Sequence, residues 1–205
     1  PISVRRTLAI LASAAVAAST VAIAAPAQAA NTISGGGASF PYPFLSACLS
    51  DFNATQNDFD IQYTSTGSGT GKSNFTKGIF TYAQTDSAYT SGQPSFDWEY
   101  IPDIGGAIAF PINLTNAKTG RSLGSSIQLK QSTLAKLLSG NLTTWRAPEI
   151  LKDNPRIAAA IPNVPVTVAY RSGNSGTSNN TLQYLNAWAP SIWTKVQDDF
   201  STAFP

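Results

Sequence analysis

The residues best suited to chemistry form one heptad, Arg171-Ser172-Gly173-Asn174-Ser175-Gly176-Thr177. It stands between a β-branched run at 164–170 and a helix-like segment at 178–188. The first N–H groups of a helix lack intrahelical partners and carry positive partial charge, so a guanidinium, hydroxyls and glycine-opened backbone at that position make an anion cradle. A plain Ser/Thr-capped loop between a strand and a helix would use the same residues. Two upstream loops repeat the chemistry. Gly35-Gly36-Gly37-Ala38-Ser39-Phe40 combines a flexible backbone, able to come close to a small ligand, with the Ser39 hydroxyl, and Pro41 then suits a helix first turn. Thr66-Gly67-Ser68-Gly69-Thr70-Gly71-Lys72-Ser73 follows an alternating strand pattern at 60–64 and leads into a helical segment at 74–80. This second loop nearly spells a Walker A sequence, but Thr66 stands where that pattern requires Gly, and the reading is a loop that binds an anion without hydrolysing anything. Asp86 sits alone among small residues, where taken by itself it reads as a helix N-cap.

The elements that must position these loops follow from periodicity. Phe44, Cys48 and Phe52, with Leu45 and Leu49, predict a helix over 43–52 with one core face and a buried Cys48. The continuous apolar run 104–113 predicts a buried strand. A helix is expected at 132–138, with Leu134, Leu137 and Leu138 inward and Gly140 as its stop. Strands alternating with helices predict a mostly parallel α/β architecture, with one sheet on either side of a composition break near Asn113. In such sheets ligands bind beyond the carboxyl ends of strands, where these three loops lie.

Composition removes several functions. The chain has 205 residues and 42% apolar content, which supports packed cores. Residues 1–29 have the three parts of a secretory signal peptide: Arg5-Arg6, an apolar run over 7–25, and Ala27-Gln28-Ala29, with cleavage expected after Ala29. No cysteine marks that point for lipid attachment, so a soluble exported protein is expected. Of the 13 Lys+Arg, Arg5 and Arg6 fall in this leader, so the rest match the 11 Asp+Glu and the mature chain is neutral. A basic nucleic-acid footprint is absent. Cys48 is the single cysteine, leaving no intramolecular disulfide framework. With no histidine, neither a Ser-His-Asp triad nor a histidine-rich metal site can be built. The chain begins with Pro and stops at Phe204-Pro205, and reads as a fragment at both ends.

Six ordered blocks carry a resemblance: GGGASFPYP at 35–43, TGSGTG at 66–71, Thr85-Asp86, IGGAIAFPIN at 104–113, LLSGNLTTW at 137–145 and YRSGNSGTS at 170–178. In these the sequence resembles the phosphate-binding proteins of bacterial high-affinity phosphate ABC transporters. The resemblance implies a two-lobed periplasmic-binding-protein type II fold, with lobe 1 over 30–113 and lobe 2 over 114–205, the second lobe and the return crossing truncated. It implies phosphate-binding roles for Ser39, Phe40, Ser68, Asp86, Arg171, Ser175, Gly176 and Thr177, with Phe40 acting through its backbone N–H. It implies no catalytic residue, no metal and no cofactor. Expected partners are inorganic phosphate and the membrane permease subunits of the importer, with a monomeric protein in the periplasm or at the cell surface. Within this resemblance, a buried Asp86 would accept the proton of a phosphate, while fully ionised sulfate would meet an unpaired like charge. Arg171 would supply a planar fork for two phosphate oxygens. Gly173 departs from the pattern, since the family often carries an acid there.

Two other classes fit an exported chain. An exported phosphatase or esterase would have to use Ser68 or Ser175 without histidine. An extracellular adhesion or matrix protein on the same fold would account for surface triplets such as Asn141-Leu142-Thr143.

Overall fold

The computed structural model describes residues 31–205, and the signal-peptide reading of 1–29 lies outside them. The elements are β1 (Asn31–Gly37), α1 (Tyr42–Thr55), β2 (Phe59–Ser65), α2 (Ser68–Thr76), β3 (Tyr82–Gln84), α3 (Gln131–Leu138), α4 (Pro148–Asp153), α5 (Gly176–Trp188) and α6 (Phe200–Ala203), with 3-10 turns at Gly124–Ser126 and Ala158–Ala160. The three strands form one sheet in the order β2-β1-β3. β1 and β3 run parallel in the register Gly35 to Tyr82, Gly36 to Ala83 and Gly37 to Gln84.

Glycines dominate the end of β1 because neighbours press on it from both sides. A Cβ on Gly35 would stand 2.2 Å from the Tyr82 ring, and one on Gly36 would stand 2.5 Å from the Thr64 carbonyl. The close approach expected of this glycine run is therefore to its own sheet neighbours. Ser39 and Phe40 follow as the exposed exit from that sheet.

The helix predicted over 43–52 is α1, with Pro41 at its N-cap and Pro43 in its first turn. None of its residues is buried. Phe44 and Phe52 are exposed and Cys48 is exposed, contrary to the expected core face. The helix meets β2 through a polar clasp, in which Asn53 Nδ2 donates to Ile61 O at 3.0 Å and Ile61 N–H donates to Asn53 Oδ1 at 3.1 Å, and through the stacked rings of Tyr42 and Tyr63. Helical spacing reports an apolar stripe but not whether a second layer covers it.

Two apolar clusters lie beyond residue 113. The first joins Leu114, Leu123, Leu137, Leu142, Ala147, Ile150 and Ile161. The second joins Ala135, Leu182, Leu185, Ala189, Trp193, Phe200 and Ala203. Helix α3 serves both, with Leu137 in one and Ala135 in the other, while Leu134 and Leu138 are half-buried. Gly140 follows it with φ +78°. Trp193 is wholly buried and its indole N–H donates to Ala135 O at 3.0 Å, so this large ring enters the core with its one polar group satisfied. Burying a side chain of the Leu or Phe kind is worth about 1.5–3 kcal/mol, and Leu182 and Leu185 anchor α5 in this way.

The expected second sheet is not formed among the described residues. Segment 104–113 is irregular and exposed, with Ile104, Ile108 and Phe110 all open to solvent. Segment 164–170 takes part only in the isolated bridge Thr144 to Pro165, and a second bridge joins Thr115 to Ser122. A β-branched or apolar run becomes a strand only when neighbours complete its hydrogen-bond ladder, and composition does not supply the neighbour. No helix among the described residues is long and apolar enough to cross a membrane.

Candidate anion site at two helix starts

Helix α2 begins at Ser68, inside the stretch expected to be loop, and replaces the helix predicted at 74–80. Its N-cap is Gly67, whose φ of +91° is a conformation that side chains other than glycine's rarely adopt. Helix α5 begins at Gly176, after an N-cap at Ser175 whose hydroxyl oxygen accepts from Ser178 N–H at 3.4 Å. The two starts meet. A Cβ on Gly176 would stand 2.6 Å from Ser68 Oγ and 2.7 Å from Asp86 Cβ, so any side chain there would drive the two helices apart. Two helix N-termini brought together concentrate positive partial charge in one place.

Asp86 leaves the end of β3 beside this junction. Its backbone N–H donates to Ser68 Oγ at 3.3 Å, and its backbone carbonyl accepts from Asn180 Nδ2 at 2.9 Å. Its carboxylate accepts from Thr177 Oγ1 at 2.8 Å. The residue is half-buried rather than buried as expected, and it caps no helix. Arg171 is exposed and reaches the first loop, where Nη1 donates to Ser39 Oγ at 3.0 Å. Its guanidinium also lies against the start of α2, since a Cβ on Gly67 would stand 2.5 Å from Arg171 Nη2. Ser39, Ser68, Asp86, Arg171, Ser175, Gly176 and Thr177 are thus brought into one neighbourhood from four separate stretches of the chain. Phe40 adjoins it and lines, with Asp86 and Thr177, a cavity of about 950 Å³. Its lining also includes the aromatic and apolar Phe96, Trp98, Tyr100 and Ile104, with the carboxylates of Asp97, Glu99 and Asp103 among them.

Gly173 has φ +80°, so the position where the resemblance leads one to expect an acid holds a backbone shape unfavourable to one. Nearby, Tyr63 donates its hydroxyl to Ala38 O at 2.5 Å. Burial pushes this phenol well above its ordinary value, with further contributions from Tyr82, Asp86 and Asp103.

Sequence reasoning missed the layer behind these groups. Lys72, the residue that gave the second loop its Walker-like look, is ion-paired with Asp198 at 2.8 Å. Asn179 and Asn180 hold Asp198 and Asp86 respectively. Two adjacent asparagines early in a helix are a signal that could have been used, because Asn is a poor helix former there unless its amide has other work. Thr66 Oγ1, at the loop start, is buried with no hydrogen-bond partner. Among the described residues no group of three or more His, Cys, Asp or Glu is placed to hold a metal ion.

The chain is 28% identical over 174 residues to the phosphate-binding protein PstS of Xylella fastidiosa, covering 84% of this chain and 46% of that protein. It is 28% identical to the phosphate-binding protein PstS of Haemophilus influenzae, covering 78% of this chain and 46% of the relative. It is 27% identical to the phosphate-binding protein PstS 2 of Mycobacterium tuberculosis, with 76% and 40% covered. The chain therefore spans about half the length of the curated relatives it matches or somewhat less. A family model described as "PBP superfamily domain" matches residues 22–203. With that match running through all three loops and both helix starts, the chain belongs to the PBP superfamily.

Proposed function

We propose that this chain acts as an exported solute-binding protein that captures inorganic phosphate between two lobes, 30–113 and 114–205, and hands it to the permease subunits of an ABC-type importer. The observation that carries the reading is the pair of contacts Ser39 to Arg171 and Asp86 to Thr177, each joining one side of residue 113 to the other at two helix starts. The names of the relatives favour phosphate among the oxyanions. The sheet lies before residue 113 and both buried apolar clusters lie beyond it, while Thr32–Pro205 packs as one compact unit.

The chemistry of capture follows from donor counting. First-turn N–H groups of α2 and α5, the hydroxyls of Ser39, Ser68, Ser175 and Thr177, and the Arg171 fork all donate to phosphate oxygens, together with the Phe40 N–H. Asp86 accepts the one hydrogen the ligand retains. Sulfate brings no hydrogen, so its oxygens would face the Asp86 carboxylate unpaired. No bond is made or broken, and the protein is not an enzyme in this reading. The cavity lined by Phe40, Asp86 and Thr177 is much larger than one tetrahedral anion, and Ser39, Ser68, Arg171 and Ser175 do not line it, so the anion's place is the junction of the two helix starts beside it.

Titration calorimetry of the chain with phosphate and sulfate tests this, alongside a chromogenic phosphoester assay. Phosphate should bind, sulfate should bind at least an order of magnitude more weakly, and no phosphoester should be cleaved. Equal affinities for the two anions, or turnover, would overturn the reading.

A further inference from the structure

Behind the loops lies a second polar cluster that no ligand role requires. Asp198, just before α6, gathers four groups. Its Oδ2 pairs with Lys72 Nζ at 2.8 Å, and its Oδ1 accepts from Ser87 Oγ at 2.8 Å and from Asn179 Nδ2 at 3.0 Å. Its backbone carbonyl accepts from Ser175 N–H at 2.8 Å. Lys72 also donates to Ser87 Oγ at 2.9 Å and to Ala88 O at 3.3 Å. The two charged side chains are only 14% and 13% exposed, and Ser87 is 2% exposed.

The side-chain contacts end one residue or one helical turn from a proposed phosphate contact, and the backbone contact ends on one, Ser175. Lys72 lies one turn along α2 from Ser68, Ser87 follows Asp86, and Ser175 N–H and Asn179 frame the first turn of α5. We infer that the Lys72–Asp198 pair, acting through Ser87, Ser175 and Asn179, is the positioning device that holds Asp86 and the two helix starts in register. Neither residue contacts the anion in the proposed function, on which this inference rests.

The physical argument is one of alternatives. Asp86 is half-buried and Thr177 and Arg171 are exposed, so the contacts among them are individually weak and open to water. The nearly buried pair is different, because separating it strands a charge where water is scarce. Four hydrogen bonds converging on one carboxylate and its own peptide carbonyl therefore define the geometry that the exposed contacts inherit.

The test uses the 205-residue chain and Lys72→Met/Asp198→Leu, a replacement of both charges by apolar groups, which proteins often tolerate without loss of stability. Hydrogen exchange is measured without added anion, and phosphate and sulfate affinities by calorimetry. Exchange at Ser175 and Asn179, whose N–H groups donate to Asp198 O and Ser175 O, should quicken about tenfold while that of 131–138 is unchanged, and the phosphate-to-sulfate affinity ratio should fall about tenfold. Ser87→Ala, which leaves the ion pair intact, should lower the ratio by a smaller factor with some loss of melting temperature, since its buried hydroxyl bonds Asp198 and Lys72, and decides the matter should the double variant not fold. Unchanged exchange, or an unchanged ratio in a chain that binds phosphate, overturns the inference. A wild-type chain that binds neither anion defeats the proposed function instead, and the exchange measurement still decides whether the pair positions the loops.

Discussion

Thr177 donates its hydroxyl to Asp86 Oδ2 at 2.8 Å, joining residues 91 positions apart at the place where the starts of α2 and α5 touch. In the proposed function Asp86 would accept from a protonated ligand, and Thr177, a first-turn hydroxyl, would turn from the carboxylate to an oxyanion. A carboxylate in a ring of donors is unusual for an anion site unless the anion carries a hydrogen.

Asp86→Asn is therefore expected to relax discrimination. The amide keeps an acceptor oxygen but removes the like charge that repels sulfate, so sulfate affinity should rise. Because Asp86 is half-buried, the gain should be about 1–2 kcal/mol rather than the larger penalty of a fully buried charge. Competition calorimetry with the two anions measures it, and an unchanged ratio counts against the role.

Arg171→Ala should act without regard to which anion is present. It removes the guanidinium that reaches Ser39 and should cost about 2–3 kcal/mol for phosphate and sulfate alike. Arg171→Lys should recover part of the loss, since it restores charge without the planar fork. A selective loss of phosphate would exchange the roles given to Arg171 and Asp86.

Gly176→Ala tests the meeting of the helices directly. The added methyl would lie 2.6 Å from Ser68 Oγ and 2.9 Å from Asp86 N, where backbone and a buried hydroxyl have little room to yield. Destabilisation of about 1–3 kcal/mol is expected, together with weakened phosphate binding. Urea unfolding monitored by tryptophan fluorescence, with wild type alongside, gives the first quantity.

The alkaline limb of stability should carry the signature of Tyr63. Its folded-state pKa lies above the ordinary value of 10.0, chiefly through burial, so the folded chain holds a proton there that the unfolded chain releases. Stability should be intact below pH 10 and fall as pH rises beyond it. Tyr63→Phe should flatten that fall while losing the bond to Ala38 O at all pH values. At the acid end, Glu149 is held below its ordinary 4.5 by the hydrogen bond from Lys136, so its contribution is present above that value and fades as pH drops through the lowered one. Unfolding curves from pH 3 to 11 would show both limbs, and a wild-type curve level above pH 10 would contradict the Tyr63 account.

Local chemistry was legible wherever a residue's role depended on its neighbours along the chain. Serine and glycine before an amphipathic run marked the start of α5, alternation marked β2, and Gly140 marked the end of α3, because capping, pleat and positive φ are properties of a few consecutive residues. Donors and one guanidinium before the start of α5 could likewise be read before any fold was known, whereas Asp86 taken alone suggested a helix cap that the structure does not contain. What the tertiary structure alone decided was pairing across distance. Segments 104–113 and 164–170 have strand composition yet lie outside the sheet, Cys48 has core spacing yet faces solvent, and Lys72 has a phosphate-loop setting yet serves Asp198. In each the outcome depends on what arrives from another part of the chain to complete a hydrogen-bond ladder, cover an apolar face or neutralise a charge, and a one-dimensional pattern does not record that arrival.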